Sequence, residues 1–332
     1  DLRADRVVVL GRELQDVVVT LSLDNAQWEA ALVSQWLRGQ ASRSGVGSPV
    51  QLTVEYLDLD QLPAFEQPDS GSDPSSAAVD MPALNVSLRN LFQSGRRLGE
   101  LDFTLHKTSD VITVEGISGE LALLRLPPAQ PAQLVWHQGV EGYTELQATL
   151  AFDDLGQTLE FFDYQRIVET GEGEFDVTLR WPGGPQDFSL PHGQGALEAR
   201  IGHGSFLEAP ASASGALRVV SILNLADIVQ RLSLSNMFEA GIPFDSVQGE
   251  IDVRDGLLTV SRMDVEGGSS FRFSGISDLR TRSLDGQLVA TIPVANNLPW
   301  IAALAASLPV AAGVFVVSQV FNKQMNRLSS AV

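Results

Sequence analysis

The chain has 332 residues, with 22 Lys+Arg against 41 Asp+Glu and a formal net charge of −19. Phosphate recognition rests on basic surface, so this balance excludes a nucleic-acid partner and disfavours broad adsorption to anionic lipid headgroups. With no cysteine, disulfides, thiol catalysis and zinc–thiolate sites are excluded, and the length fits two average domains or one elongated one.

The opening, DLRADRVVVLG, has no signal-peptide shape. It starts in mid-strand and the far end stops abruptly, so a piece of a longer chain is expected. Val7–Leu10 is an apolar run, and Val17, Val19 and Leu21 alternate with Val18, Thr20 and Ser22. Trp28–Trp36 fits a helix face or a strand face, and the neighbouring strands favour strand. Gln51–Leu59 alternates through Leu52, Val54 and Tyr56, then slips phase to Leu57 and Leu59. Residues 66–80, EQPDSGSDPSSAAVD, carry no apolar period and read as a mobile loop. A first module is therefore expected over 1–80.

A second module, 81–216, repeats the opening. GRELQDVVVTL (Gly11–Leu21) and GRRLGELDFTL (Gly95–Leu105) share Gly-Arg-x-Leu followed by alternating apolar residues. Further on, Leu146, Ala148, Leu150 and Phe152 alternate with polar residues. Phe175, Val177, Leu179 and Trp181 point one way, while Glu174, Asp176, Thr178 and Arg180 point the other.

A third module, 217–297, opens on LRVVSILNLADIVQRL (Leu217–Leu232), whose apolar spacing predicts a helix on the sheet's apolar face. Strand alternation then resumes. Ile251 and Val253 oppose Glu250, Asp252 and Arg254, and Asp255-Gly256 supplies a hairpin turn. Phe271 and Phe273 flank Arg272, and Leu284, Leu288, Ala290 and Ile292 continue the pattern.

From Gly286 to Asn322 there is no charged residue. A transmembrane helix needs about 20 continuous apolar residues, but Pro293, Pro299 and Pro309 interrupt this run. Two helices are expected in a terminal segment, 298–332: one near Pro299–Ala306 that contains Trp300, and one near Pro309–Leu328. In the second, Val310, Val314, Val317 and Phe321 share a face with Leu328. Such a pair would plug the apolar surface of its own protein, lie on a membrane or, least simply, span it.

The fold class is therefore mainly β. It is a long antiparallel sheet with one apolar and one wet face, short turns and a few helices, two of them capping or plugging its C-terminal end. A one-faced sheet must be covered by a second sheet, by curling on itself, or by an apolar ligand. The helices expected here cover only part of it, and acyl chains would cover the rest. The candidate lining residues are Phe175, Val177, Leu179, Trp181, Ile251, Val253, Phe271, Phe273 and Leu288.

Chemistry is not signalled. His106, His137, His192 and His203 have no metal-ligand spacing, and the carboxylates alternate with apolar residues on strands. No phosphate loop or Gly-x-Ser-x-Gly element occurs. No catalytic residue, metal or cofactor is expected, and a hydrolase lacks a nucleophile–base pair.

Leu179–Leu190, Gly195–Ala209, Leu217–Leu258 and Leu284–Ala305 resemble, in order and spacing, the C-terminal region of the YhdP-like branch of the AsmA-like family, which includes TamB and related bridge-like lipid-transfer proteins. The resemblance implies a sheet curled into an open apolar groove in the periplasm of a Gram-negative cell. It also implies an anchor in the inner membrane and a far end near the outer membrane or an outer-membrane protein. Its cargo would be phospholipid, with no catalytic residues. The rival expectation is a structural or assembly module that docks an outer-membrane partner without carrying lipid. A charge at Val253 or Phe273 separates the two, because a groove would stay folded and a packed sandwich would not. As a fragment the chain is expected to be monomeric.

Overall fold

The computed structural model describes residues 2–9, 12–24, 27–61, 82–207, 242–268, 270–281, 283–293, 316–319 and 327–331. The chain divides into two compact units: Asp1–Leu150 with Thr178–Ser189, and Ala151–Val177 with Leu190–Val332.

The first unit holds β1 (Leu2–Val9), β2 (Arg12–Asp24), β3 (Gln27–Val33), β4 (Leu37–Arg43), β5 (Val50–Asp58), β6 (Leu84–Gln93) and β7 (Arg96–Thr108). It continues with β8 (Val111–Leu121), β9 (Leu124–Leu126), β10 (Ala132–His137) and β11 (Tyr143–Phe152). Neighbours from β1 to β9 pair in chain order, and β10 joins β8 and β11. The strand reading of Trp28–Trp36 holds for β3.

Not every pair is antiparallel, as the sequence had led us to expect. β5 and β6 run parallel, with Val50 beside Leu84 and Asp58 beside Phe92. Parallel neighbours need a crossover long enough to return the chain to its starting end. The residues between Asp58 and Leu84 serve as that return; the loop expected at 66–80 lies among them, outside the described residues.

The phase slip in the fifth strand is a β-bulge. Arg38 pairs Tyr56 and Gly39 pairs Val54, which leaves Glu55 as the extra residue. A second slip in β6, between Leu88 and Leu91, keeps step with it. Leu57 and Leu91 therefore stay in register and return to the face of Val54 and Leu88.

The sequence repeat is structural too. Both copies of Gly-Arg-x-Leu start the 13-residue return arm of a hairpin, with Val9 opposite Arg12 and Gln93 opposite Arg96. At the second turn Ser94 and Gly95 have φ of 51° and 73°, and at the expected Asp255-Gly256 turn the values are 50° and 77°. Two successive positive φ values make a type I′ turn, whose twist matches that of the strands it joins.

The second unit holds the last two residues of β11, α1 (Leu155–Phe161), β12 (Val168–Thr170), all of β14 to β22 and the first half of β13 (Gly173–Pro182), whose second half belongs to the first unit. The remaining strands are β14 (Gln194–Ile201), β15 (Gly204–Phe206), β16 (Ile242–Phe244), β17 (Ser246–Arg254), β18 (Leu257–Glu266) and β19 (Ser270–Asp278). They are followed by β20 (Ser283–Pro293), β21 (Val316–Gln319) and β22 (Arg327–Ala331). β14, β17, β18, β19, β20, β22 and β21 pair in that order, all antiparallel. β12, β15 and β16 form a separate three-stranded sheet.

The second C-terminal helix expected near Pro309–Leu328 is contradicted where the structure describes it. Val317 lies in β21 and Leu328 in β22, with Leu328 opposite Ile292 of β20. Val316 and Val317 are β-branched and suit a strand, and β22 satisfies the otherwise open edge of β20. A short apolar run fits both periods, so periodicity misled here. Trp300, Val310, Val314 and Phe321 lie outside the described residues, as do the helices expected at 217–232 and Pro299–Ala306. Among the described residues no helix is long and apolar enough to cross a membrane, which says nothing of a β-barrel.

Candidate functional site

Register turns the first unit's alternating strands into continuous apolar rows. Residues directly opposite across a strand pair share a face. One row runs Leu21–Ala30–Ala41–Leu52–Val86–Phe103 across β2 to β7. A second runs Leu32–Gly39–Val54–Leu88–Leu101–Gly119–Leu126. A third is Val50–Leu84–Leu105–Val114–Leu134–Leu146, and a fourth is Leu37–Leu57–Leu91–Gly99–Leu121. Without the paired bulges in β5 and β6, the fourth row would fall on the opposite face.

Among the described residues of the first unit, no second layer lies over these rows. Apart from strands, the described residues of the first unit form only the short 3-10 turns Leu59–Gln61 and Pro185–Asp187. Val50, Val54, Val86, Leu91 and Leu126 are buried, and Leu101 and Leu146 pack against a small cluster of Leu126, Ala132 and Ala148, while Leu52, Leu88, Phe103, Leu105 and Leu134 remain half-buried. Leu21 is 45% exposed.

The opposite face of the same strands is polar and internally paired. Arg89 grips Asp102 through both terminal nitrogens at 3.0 Å, and the Ser87 hydroxyl donates to the same carboxylate at 2.5 Å. His106 and Glu115 lie 2.9 Å apart, and the Arg180 guanidinium sits 3.7 Å above the Tyr143 ring. These exposed pairs contribute little stability each. They do make one face wet and leave the other oily.

In the second unit the same design recurs but is covered. Ile201–Val247–Val265–Phe271, Ala199–Gly249–Met263–Phe273–Leu288 and Leu197–Ile251–Val260–Gly275–Gly286 are its rows. Val168 of β12, Phe206 of β15 and Phe244 of β16 join Val247, Val260, Met263, Val265 and Phe271 in one buried cluster. Leu155 and Leu159 of α1 pack against it.

The residues singled out from sequence therefore fall into different settings. Ile251, Phe273 and Leu288 pack against the covered cluster, Phe271 lies in it, and Val253 is buried at 5% exposure. Val177 is buried, Leu179 is half-buried, and Phe175 stacks 5.0 Å from the fully buried Phe152. Trp181 is sealed by its own downstream turn: its indole N–H donates to the Gly184 carbonyl at 2.9 Å, and the Phe188 ring meets it edge-on at 5.1 Å. A charge at Val253 or Phe273 would consequently test a packed core. The half-buried rows of β5 to β11 were not singled out from sequence. Their signal was the same alternation, but strand register was needed to align it.

Phe273 shows how closely the second unit is fitted. A Cβ on Gly286 would lie 2.8 Å and 2.9 Å from two carbons of its ring, so the ring rests on the Gly275–Gly286 pair. Gly286→Val should displace it and cost about 1–3 kcal/mol, as overpacking does. Denaturant unfolding should show the midpoint falling with the m-value unchanged.

A charge network ties β18 to β19. Arg262 and Arg272 both hydrogen-bond Asp264, the latter at 2.6 Å. Partial burial opposes ionisation of Asp264, but the two guanidiniums outweigh it and hold the carboxyl below its ordinary range. A depressed carboxyl pKa stabilises the fold above the unfolded-state value of about 3.9, and that contribution is lost as pH falls through the folded value. Asp264→Asn should therefore cost stability at pH 6 and much less at pH 2, read from thermal midpoints of both proteins. On β14, Arg200 donates hydrogen bonds to the Asp176 and Glu174 carboxylates, which hold it protonated. Beside these networks, Glu198, Arg200, Gln248, Glu250, Arg262 and Asp264 edge a polar basin of about 310 Å³. Among the described residues, no group of three or more His, Asp or Glu is arranged to hold a metal.

The chain is 22% identical over 334 residues to the intermembrane phospholipid transporter YhdP of Escherichia coli (strain K12). That alignment covers 93% of this chain and 26% of the relative, so the chain spans about a quarter of the protein it matches. No solved structure matches it. The family model described as YhdP protein matches residues 1–332. With that model matching the sequence over its whole length, the chain belongs to the YhdP family.

Proposed function

We propose that this chain is a section of a conduit that carries phospholipid between the inner and outer membranes of a Gram-negative envelope. The observation that carries the reading is the set of apolar rows in the first unit, continuous in register and without a protein layer over them among the described residues. Strands lie about 4.8 Å apart, so a row across six of them runs about 24 Å, more than the ~15 Å of hydrocarbon in one leaflet. Each methylene taken from water contributes roughly 0.8 kcal/mol, so an acyl chain lying along such a row avoids most of its hydration cost. Headgroups stay in water. Movement needs no chemical step, only exchange between weak and similar contacts, and the relative's name is that of a transporter rather than an enzyme.

In this reading the sheet curls into a groove within the periplasmic portion of an inner-membrane-anchored protein. The C-terminal end meets the outer membrane or an outer-membrane protein, and residues of the 298–332 segment plug the groove or touch that membrane. The chain works as a monomer. The rows of the second unit are covered by side chains from β12, β15, β16 and α1, so in this form they are not open to lipid. Native mass spectrometry of the purified chain should find co-purifying phospholipid. A lipid-free protein that also takes up none from vesicles would refute the reading.

A further inference from the structure

The small sheet of the second unit is made from bent-over ends of the main one. β12 leads into β13 through Gly171-Glu172, β14 leads into β15 through Gly202-His203, and β16 leads into β17 through Asp245. The order β12, β15, β16 repeats the order β13, β14, β17. The three bends lie on one line, stitched by Gly171 N–H to the His203 carbonyl at 2.7 Å and Gly202 N–H to the Glu172 carbonyl at 2.9 Å. Beyond the line, Val168, Phe206 and Phe244 fold down onto Val247, Val265 and Phe271.

A polar clasp holds this flap. Asp154, which follows the end of β11, accepts from Arg166 at 2.5 Å and from the Thr170 backbone at 3.2 Å, and the Thr170 hydroxyl accepts from the Leu155 backbone at 2.9 Å. Arg166 also reaches Glu169 at 3.3 Å. The clasp is incompletely satisfied: Gln165 Oε1 and Arg166 Nε are buried without a hydrogen-bond partner. Closure leaves two polar atoms dry, which lowers the cost of opening relative to a fully satisfied contact.

We propose that β12, β15 and β16 are a hinged lid, clasped to the start of α1, that opens along the Gly171–Gly202–Asp245 line and uncovers an acyl-chain site on the rows of β17 to β19. The ligand class rests on the function proposed above. The hinge itself rests on the bend line and the clasp. The covered rows match the open rows of the first unit in kind, four to five strands of Val, Ile, Met and Phe in register, so the same chemistry would occupy them. Opening is the step that would admit lipid to the second unit.

The test uses the full chain and its Arg166→Gln variant. Amides of β12, β15 and β16 should exchange at least tenfold faster in the variant, with β17 to β19 unchanged. Phe273→benzoylphenylalanine, irradiated with vesicles of phosphatidylethanolamine and phosphatidylglycerol, should crosslink lipid several-fold more in the Arg166→Gln background, since ligand occupancy follows the open fraction. Phe103→benzoylphenylalanine reports on the first unit in parallel. Uniformly faster exchange throughout the second unit, or no rise in crosslinking at Phe273 while Phe103 crosslinks normally, overturns the lid. Absence of crosslinking at both positions refutes the conduit reading instead.

Discussion

Phe103→Asp is expected to leave the protein folded and to remove its lipid. Phe103 stands at the end of a row that starts at Leu21, and it is half-buried with no second layer above it among the described residues of its unit. A carboxylate there keeps contact with water in the lipid-free protein, so the fold should lose no more than about 1 kcal/mol. An acyl chain laid along the row would instead strip that carboxylate of its water, a cost of several kcal/mol. Co-purifying phospholipid should drop at least tenfold, with the thermal midpoint within a few degrees of the parent. Phe103→Leu should retain lipid, which separates lost charge tolerance from lost ring volume.

The second unit should answer in the opposite sense. Phe271→Ala removes a side chain that is 7% exposed and packed among Val247, Val265, Phe206 and Phe244. Large-to-small substitution of a buried phenylalanine costs about 3–5 kcal/mol, part of it transfer free energy and part the cavity left behind. A domain has about 5–15 kcal/mol in total, so the second unit should unfold at markedly lower denaturant. Two-step unfolding is the expected form, with the first unit's transition unmoved, and in a Trp300→Phe background tryptophan fluorescence from Trp28, Trp36, Trp136 and Trp181 reports on that first unit. A single shifted transition would mean that the two units share one cooperative core.

The contrast between these two substitutions explains what sequence could and could not provide. Alternation located the strands well, because a one-faced sheet writes a period of two into its residues. It also marked the Glu55 bulge as a slip from Tyr56 to Leu57 and the Asp255-Gly256 turn as a hairpin. It did not distinguish Phe103 from Phe271. Both alternate with polar neighbours, and only the three-stranded flap, whose strands are three residues long, makes one covered and the other open. Strands that short carry no periodic signal. The parallel pairing of β5 with β6 was equally hidden, because nothing local in either strand records which way its neighbour runs. In the C-terminal segment Val316 and Val317 belong to a strand of only four residues, Val316–Gln319, too short to fix a period.

Face-selective crosslinking tests the central claim most directly. A photoreactive side chain placed in turn at Leu88 and Leu105, on the apolar rows, and at Gln40 and Gln51, on the opposite face of adjoining strands, would be irradiated in cells and the adducts identified by mass spectrometry. The account predicts phospholipid adducts from Leu88 and Leu105 and none from Gln40 or Gln51. Equal labelling from both faces, or none from either, would contradict it.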